Sequence, residues 1–211
     1  MVNRPRAVAD RPRVGILALQ GAVREHARIL SRLGAEPVLI KDSERLATVD
    51  GLIIPGGEST TIGKLMAATG LSDAVRDAAR GGLPVFGTCA GLILMAKRGG
   101  KSDEYRLGLL DISIKRNAYG RQVDSFETGL KAELDGEVAL DGVFIRAPLV
   151  EAVGPGVKVL AKMSGAPVLV EEGPFLGSSF HPELAGEEVV HRYFLTKVVS
   201  EGRVAAGEEA V

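Results

Sequence analysis

The first part of the chain alternates short apolar runs with amphipathic segments. Residues 14–19 form a continuous apolar run, which is typical of a strand covered on both faces. Residues 22–33 follow with apolar side chains at helical spacing, and Gly34 ends that helix. Two further apolar runs, residues 37–40 and 51–54, predict a second and a third strand. Strand, helix and strand in this order favour an open α/β sheet with right-handed crossovers.

The middle of the chain repeats this rhythm and then changes. A helix capped by Ser72 and ending near residues 81–82 precedes a strand at residues 83–86, which leads into another helix. Successive strands with short turns are then predicted at residues 107–115, 122–130, 142–145, 157–163 and 166–170. A last strand at residues 175–180 and a helix at residues 187–199 close the pattern. We therefore predict a three-layer α/β/α fold with an open, mostly parallel, flavodoxin-like sheet and an antiparallel extension.

The length and composition predict a single domain. The chain has 211 residues, of which 45% are hydrophobic and 25% are charged, an ordinary globular composition. Residues 1–12 are polar and predict a disordered arm, residues 13–200 the domain, and residues 201–211 a frayed acidic tail. No apolar run approaches the roughly 20 residues of a membrane span, and the N-terminus lacks the apolar segment of a secretory signal.

Charge and cysteine content narrow the possible partners. The net charge of −1 gives no basic surplus, so nucleic acid is not a favoured partner. The single cysteine excludes an intrachain disulfide and is typical of a reducing, cytoplasmic setting. It also excludes zinc sites built on several cysteines, and three histidines leave little for another metal cluster. No metal site is therefore expected.

The segment at residues 87–91 is the first candidate for chemistry. Its pattern Gly-x-Cys-x-Gly lies between a predicted strand and a helix and resembles a nucleophile elbow that carries sulfur. Such a turn holds its nucleophile in a strained backbone conformation, and the helix dipole favours a thiolate at Cys89. The alternative is that Cys89 is simply a small buried residue in a strand-to-helix turn.

A second glycine-containing turn is predicted beside this elbow. Residues 55–59, Pro-Gly-Gly-Glu-Ser, leave the third strand at the carboxyl edge of the sheet, where sites of open α/β folds lie. Backbone N–H groups of such a glycine pair can bind an anion. The alternative is a plain turn with Ser59 or Thr60 as helix cap. Arg116 and Arg146 are further candidates for ligand contact, although an exposed arginine is usually only a solvated charge.

A thiol nucleophile needs a base, and three histidines could supply it. His26 lies in the middle of a charged helical segment and His191 lies in the closing helix, so we interpret both as surface residues. His181 differs because it ends a strand and precedes Pro182 and Glu183. In an extended segment residues i and i+2 project to the same side, so Glu183 can hold the imidazole in one tautomer, as in a catalytic triad.

Several segments together carry a resemblance to a known family. Residues 87–91 and 180–183 resemble the triad class of glutamine amidotransferases. Four more segments, residues 19–26, 55–61, 116–127 and 144–148, resemble the glutaminase subunits of pyridoxal phosphate synthases. The similarity runs from about Val14 to Val199.

This resemblance implies a role for each matching residue. Cys89 would be the nucleophile, His181 the general base and then acid, and Glu183 the group that orients His181. The residues that would border bound glutamine are Gly56, Gly57, Glu58, Arg116, Ile145 and Arg146. The N–H groups of Gly57 and Ala90 would bind the oxyanion.

The implied reaction is hydrolysis of L-glutamine to L-glutamate and ammonia through a glutamyl thioester. Ammonia would pass to a barrel-fold synthase subunit in a large hetero-oligomer, which builds pyridoxal 5′-phosphate from a pentose phosphate and a triose phosphate. No cofactor is expected in this subunit. Two rivals remain: a stand-alone cysteine hydrolase or amidase of similar fold, and a non-catalytic binding module. The intact Cys, His and Glu set argues against the module.

Overall fold

The computed structural model of the chain describes residues 11–99, 105–115 and 125–207, with side chains up to residue 201. Within these ranges the strands are β1 (Arg13–Leu17), β2 (Glu36–Ile40), β3 (Gly51–Ile54), β4 (Val85–Thr88), β5 (Ala96–Arg98), β6 (Leu110–Lys115), β7 (Ser125–Glu133), β8 (Glu137–Ile145), β9 (Leu149–Val153), β10 (Lys158–Met163), β11 (Ala166–Glu172) and β12 (Phe175–Ser178). The helices are α1 (Val23–Arg32), α2 (Ser43–Leu46), α3 (Ser59–Ala68), α4 (Leu71–Arg80), α5 (Ala90–Met95), α6 (Pro182–Ala185) and α7 (Val189–Gly207).

The main sheet is parallel in one half and antiparallel in the other. Its strand order across the described residues is β2-β1-β3-β4-β12-β11-β10-β7-β8. The first five strands in this order pair in parallel, and each later pair is antiparallel. The order of the parallel half is that of flavodoxin-like folds. The predicted fold class is thereby confirmed, including the antiparallel extension.

The parallel strands are continuous apolar runs because both of their faces are covered. In β3, Ile53 belongs to the core on one side of the sheet, whereas Leu52 and Ile54 belong to the core on the other side. Helices α1 and α7 contribute Leu30 and Phe194 to the first core, and helices α2 to α5 pack in the second. This arrangement gives the three predicted layers.

The prediction that residues 107–115 extend the main sheet is wrong. Strand β6 lies in a separate sheet, where it is flanked by β5 and β9. Its residues Leu110, Ile112 and Ile114 are fully buried in the same core as helix α5. These alternate residues share one face of β6, so the strand lies over the main sheet instead of at its edge.

Several element boundaries also differ from the predictions. Strand β8 begins at Glu137, not at residue 142, because a tight turn with Asp135 at φ 54° and Gly136 at φ 123° joins it to β7. Ser72 is not a helix cap: Gly70 occupies that position of α4, and Ser72 is buried within the helix. Helix α7 continues past the predicted end to Gly207.

The carboxyl ends of the parallel strands meet along one edge of the sheet. The turns that follow β1, β3, β4 and β12 bring Gln20, Gly56, Cys89 and His181 to that edge, where they line the same cavity. Across the parts of the chain with described positions, none of the helices is both long and apolar enough to cross a membrane.

Candidate active site

Cys89 occupies a sharp turn between β4 and α5. Its backbone has φ 48° and ψ −97°, a conformation that L-residues rarely adopt and that costs roughly 1–3 kcal/mol. The Cys89 N–H donates to the carbonyl of Ser178 at 2.8 Å, which ties the turn to β12. Two residues on, a Cβ atom at Gly91 would overlap the Ile54 carbonyl, so only glycine permits the close approach of α5 to β3. The predicted sharp elbow is confirmed.

His181 is held at the start of helix α6. Its N–H donates to the carbonyl of Val143 at 2.8 Å, and its Nδ1 lies 2.7 Å from Oε1 of Glu183. The predicted extended geometry is wrong, because Pro182 begins a helical turn that contains Glu183. Proline favours the first helical position, since its fixed φ suits a helix and its missing N–H is not needed there.

The imidazole of His181 lies between a thiol and a carboxylate. Burial alone lowers the pKa of His181, but hydrogen bonds to Cys89 and Glu183 and the charges of both groups outweigh burial and raise that pKa to about 10. Since Nδ1 faces Glu183, Nε2 is left for Cys89. This environment favours an imidazolium beside the sulfur at neutral pH, which is the pairing that activates a cysteine nucleophile.

The carboxyl group of Glu183 is almost completely buried and remains ionised. Burial alone would raise the pKa of Glu183, but the imidazoles of His26 and His181 outweigh burial and lower it. The arrangement can therefore keep a negative charge behind His181 and stabilise its protonated ring.

The interpretation of His26 and His191 as surface residues is wrong, because both side chains are fully buried. Nδ1 of His26 lies 2.8 Å from Nε2 of His191, and Nε2 of His26 lies 3.6 Å from Oε1 of Glu183. The sequence carried a signal that could have located His26, since Ile29 and Leu30 follow at helical spacing and are buried with it.

The elbow and His181 open into a cavity of about 500 Å³. The residues predicted to form the site that line this cavity are Gly56, Gly57, Glu58, Cys89, Ala90, Ile145, Arg146 and His181. Arg116, the remaining predicted substrate contact, lies outside the described residues. Gln20 and Leu184 also line the cavity.

The turn after β3 approaches both His181 and the elbow. The N–H of Gly56 donates to Oγ1 of Thr88 at 2.9 Å, and a Cβ atom at Gly56 would overlap the His181 ring. A Cβ atom at Gly57 would overlap the side-chain amide of Gln20. This crowding leaves no room for a side chain at Gly56, whereas a side chain at Gly57 would have to displace the flexible Gln20 amide.

Glu58 is the cap of helix α3. Its carboxylate accepts hydrogen bonds from the N–H groups of Thr60 at 3.2 Å and Thr61 at 2.6 Å. The alternative of Ser59 or Thr60 as cap is therefore wrong, and Ser59 is the first residue of the helix. The N–H of Glu58 donates to Oε1 of Gln20 at 2.8 Å, which links the turns after β1 and β3.

Ile145 and Arg146 face the elbow from the end of β8. The carbonyl of Ile145 lies 3.8 Å from the sulfur of Cys89. Arg146 has φ 43° and an exposed side chain at the rim of the cavity. A positive φ in a residue that is not glycine is strained, and such strain is often found where a residue contacts a ligand.

A thiol, an imidazole and a carboxylate at the carboxyl edge of an α/β sheet form the arrangement of a cysteine-dependent amide hydrolase. Comparison with known proteins narrows this class. The profile of the SNO glutamine amidotransferase family matches residues 16–200, and the chain belongs to that family. It is therefore a glutamine amidotransferase.

Relatives share nearly the full length of the chain. It is similar to the pyridoxal 5′-phosphate synthase subunit PdxT of Frankia casuarinae, with 53% identity over 193 residues, 90% of this chain and 97% of the relative. The PdxT subunit of Pelotomaculum thermopropionicum is 50% identical over 195 residues, 92% of this chain and all of the relative. A crystal structure of a glutamine amidotransferase superposes with a TM-score of 0.83 at 50% identity, covering 88% of this chain and 98% of that one.

Proposed function

We propose that this chain is the glutaminase subunit of a pyridoxal 5′-phosphate synthase and that Cys89, His181 and Glu183 are its catalytic triad. The observation that carries the proposal is the arrangement of these three side chains: Cys89 and His181 line one cavity, and Nδ1 of His181 lies 2.7 Å from the buried Glu183 carboxylate behind it. The family match and the PdxT relatives support the same activity.

The sulfur of Cys89 attacks the side-chain amide carbon of glutamine and forms a tetrahedral intermediate with a negatively charged oxygen. The N–H groups of Gly57 and Ala90 bind that oxygen, and Ala90 is suited to this because it is the first residue of α5, where N–H groups lack intrahelical partners. His181 gives its proton to the departing nitrogen, which leaves as ammonia. A glutamyl thioester on Cys89 remains.

The second half of the reaction releases glutamate. His181, now neutral, takes a proton from a water molecule, which attacks the thioester carbon. The carbon–sulfur bond breaks, L-glutamate leaves, and the proton on His181 restores the starting state of the pair. Throughout these steps the Glu183 carboxylate holds Nδ1–H and stabilises the imidazolium.

The cavity has a size and a lining suited to an amino acid substrate. Its volume of about 500 Å³ lies within the usual range for small-molecule sites. The exposed guanidinium of Arg146 at the rim provides a positive charge for the α-carboxylate of glutamine. Ile145 and Glu58 border the same space, and Arg116 completes the set of proposed substrate contacts.

The ammonia acceptor is a barrel-fold synthase subunit in a large hetero-oligomer. The exposure of Leu184 is an argument for a partner that docks near the cavity, since this large apolar side chain is 43% exposed and lines the cavity mouth. The reaction belongs in the cytoplasm, where the lone thiol stays reduced. No cofactor takes part in the proposed steps.

The decisive experiment measures glutamate and ammonia formed from glutamine by the purified chain, with and without the synthase. Activity that depends on the synthase supports the proposal. Equal activity without the synthase indicates the stand-alone amidase, and no activity under either condition indicates the binding module. An electrophilic glutamine analogue, such as a γ-chloroketone, should label Cys89 and no other residue, as peptide mass spectrometry would show.

A further inference from the structure

A buried pair of imidazoles lies behind the proposed triad and takes no part in the steps described above. His26 on α1 and His191 on α7 are both fully buried, and their rings are joined by a 2.8 Å contact between Nδ1 of His26 and Nε2 of His191. Burying two such rings away from solvent is unfavourable unless their polar atoms find partners. The partners of His26 include groups of the proposed active site.

The other nitrogen of His26 faces two groups that shape that site. Nε2 lies 3.4 Å from Oγ1 of Thr88 and 3.6 Å from Oε1 of Glu183. Thr88 in turn accepts the N–H of Gly56 at 2.9 Å, so the same hydroxyl fixes the turn after β3. One ring atom of His26 thus faces both the carboxylate behind His181 and the residue that anchors the glycine turn.

The protonation of His26 follows from its neighbours. The Glu183 carboxylate is an acceptor only, so an Nε2 that carries its proton is attracted to it, whereas a bare Nε2 would be repelled. Nδ1 of His26 then accepts a hydrogen bond from Nε2–H of His191.

We propose that His26 is a positioning residue for glutamine hydrolysis, with its Nε2–H holding the Glu183 carboxylate and the Thr88 hydroxyl in one arrangement. Through Glu183 it sets the orientation of the His181 ring, and through Thr88 it supports the Gly56 turn. His191 fixes the tautomer of His26 by donating to Nδ1. This inference rests on the proposed function, because it assigns a role within the same reaction.

The surroundings of His26 support a neutral ring. Glu183 and His181 face it from the segment around α6, His191 faces it from α7, and Glu25 is its neighbour on α1. Burial is the largest influence and lowers the pKa of His26, with the attraction of Glu183 acting in the opposite direction. A neutral His26 stabilises the Glu183 carboxylate, and the negative charge of Glu183 remains available to stabilise the protonated His181.

Two amide substitutions test the roles of the two ring nitrogens of His26 one at a time. The side-chain nitrogen of Gln lies as many bonds from the backbone as Nε2 of His, so His26→Gln keeps a donor toward Glu183 and Thr88. The side-chain oxygen of Asn matches Nδ1, so His26→Asn keeps an acceptor for His191 but places nothing near Glu183. Both variants remove the titrating ring, which makes each the control for the other.

Steady-state glutamine hydrolysis should be measured for both variants in the complex with the synthase. We expect His26→Asn to lower kcat by about tenfold or more, with KM within about twofold of wild type, and His26→Gln to stay within about threefold of wild type. The acid limb of the kcat/KM profile should move to higher pH in His26→Asn, because Glu183 is protonated more readily without a facing N–H. Urea denaturation should show both variants folded.

Each other outcome overturns the inference. If both variants keep wild-type kcat, His26 does not position the triad; if both lose kcat equally, its role is structural only. A larger loss in His26→Gln than in His26→Asn would mean that the contact with His191 is the one that matters. An inactive wild-type complex would instead refute the proposed function, so the two failures are distinguishable.

A measurement on the unmodified protein tests the same inference if a variant fails to fold. The chain has three histidines, so the ring nitrogens of a 15N-histidine-labelled sample can be assigned by NMR. We expect His26 to be neutral near pH 7 with its proton on Nε2. A proton on Nδ1, or a positively charged His26 ring, would overturn the inference.

Discussion

Nδ1 of His181 lies 2.7 Å from Oε1 of Glu183, although the residue between them, Pro182, begins a helical turn. The turn brings the carboxylate back under the ring that precedes it. Both side chains are almost completely buried, so water cannot replace either partner. The pair is therefore a single unit whose orientation determines how His181 meets Cys89.

The first prediction concerns this pair. Glu183→Gln should lower kcat by roughly two to four orders of magnitude with little change in KM, because the amide no longer stabilises an imidazolium or fixes its tautomer. The measurement is steady-state glutamine hydrolysis in the complex with the synthase. Glu187→Gln is the matched control, since the Glu187 carboxylate accepts the N–H of Asp141 at 3.2 Å and an amide oxygen can do the same. An unchanged kcat for Glu183→Gln would mean that His181 is positioned by other groups.

The second prediction is that Cys89→Ala abolishes glutamine hydrolysis while leaving the fold and glutamine binding nearly intact. The chain contains no second cysteine that could form the thioester. The positive φ at this position strains alanine as it strains cysteine, so the substitution adds little backbone cost. Activity should be measured in the complex, and binding by calorimetry. Turnover within tenfold of wild type would contradict the role of the thiol.

The third prediction is that the free chain hydrolyses glutamine poorly and gains activity on docking the synthase. A glycine peptide can rotate with little steric cost, so the Gly57 N–H can point either away from the oxyanion or toward it. We expect the free chain to favour the first orientation and the docked synthase to select the second. A titration of the chain with synthase, following glutamate release, measures the gain. A free chain that already works at the rate of the complex would rule out this control by the partner.

A fourth prediction tests the glycine itself. Gly57→Ala keeps the backbone N–H but hinders the peptide rotation that turns it toward the oxyanion, so kcat in the complex should fall by about a hundredfold, the usual cost of one missing oxyanion donor. Its added Cβ would overlap the flexible Gln20 amide, which can move aside, so the fold should persist. Gly129→Ala in β7 is the control, since a Cβ there meets nothing within 4 Å. Wild-type kcat for Gly57→Ala would show that this glycine only forms a turn.

The fifth prediction links the buried His191 to stability at low pH. Burial lowers the pKa of His191 to about 3, whereas the unfolded chain binds this proton below about pH 6.5. The free energy of unfolding therefore falls as the pH drops from 6.5, by up to about 1.4 kcal/mol per pH unit for this residue. His191→Gln keeps a donor for His26 but removes the titrating group. Between pH 7 and pH 5 the free energy of unfolding of this variant should therefore fall by about 2 kcal/mol less than that of wild type. Urea denaturation at both pH values measures the difference, and equal losses would contradict it.

The local motifs could be interpreted from the sequence because their geometry is local. A glycine on each side of Cys89 predicts a sharp turn wherever the segment lies, and the strand and helix around it follow from apolar spacing. His181 and Glu183 are so close in sequence that a wrong backbone prediction still placed the two side chains together. The order of the apolar runs also predicted the parallel half of the sheet, because consecutive βαβ units allow few topologies.

Other features depended on which distant segments pack together. Nothing near His26 in the sequence identifies His191 or Glu183 as its neighbours, and its charged flanking residues suggested an exposed position. The position of β6 could not be predicted from its sequence either, because its alternating apolar residues suit the edge of the main sheet and the layer that covers it equally well. Local sequence patterns therefore predicted the sharp turn at Cys89, the parallel strands and the proximity of His181 to Glu183. The buried neighbours of His181 and Glu183 could be identified only from the folded chain, because contacts between α1, α6 and α7 form when the chain packs and leave no local pattern.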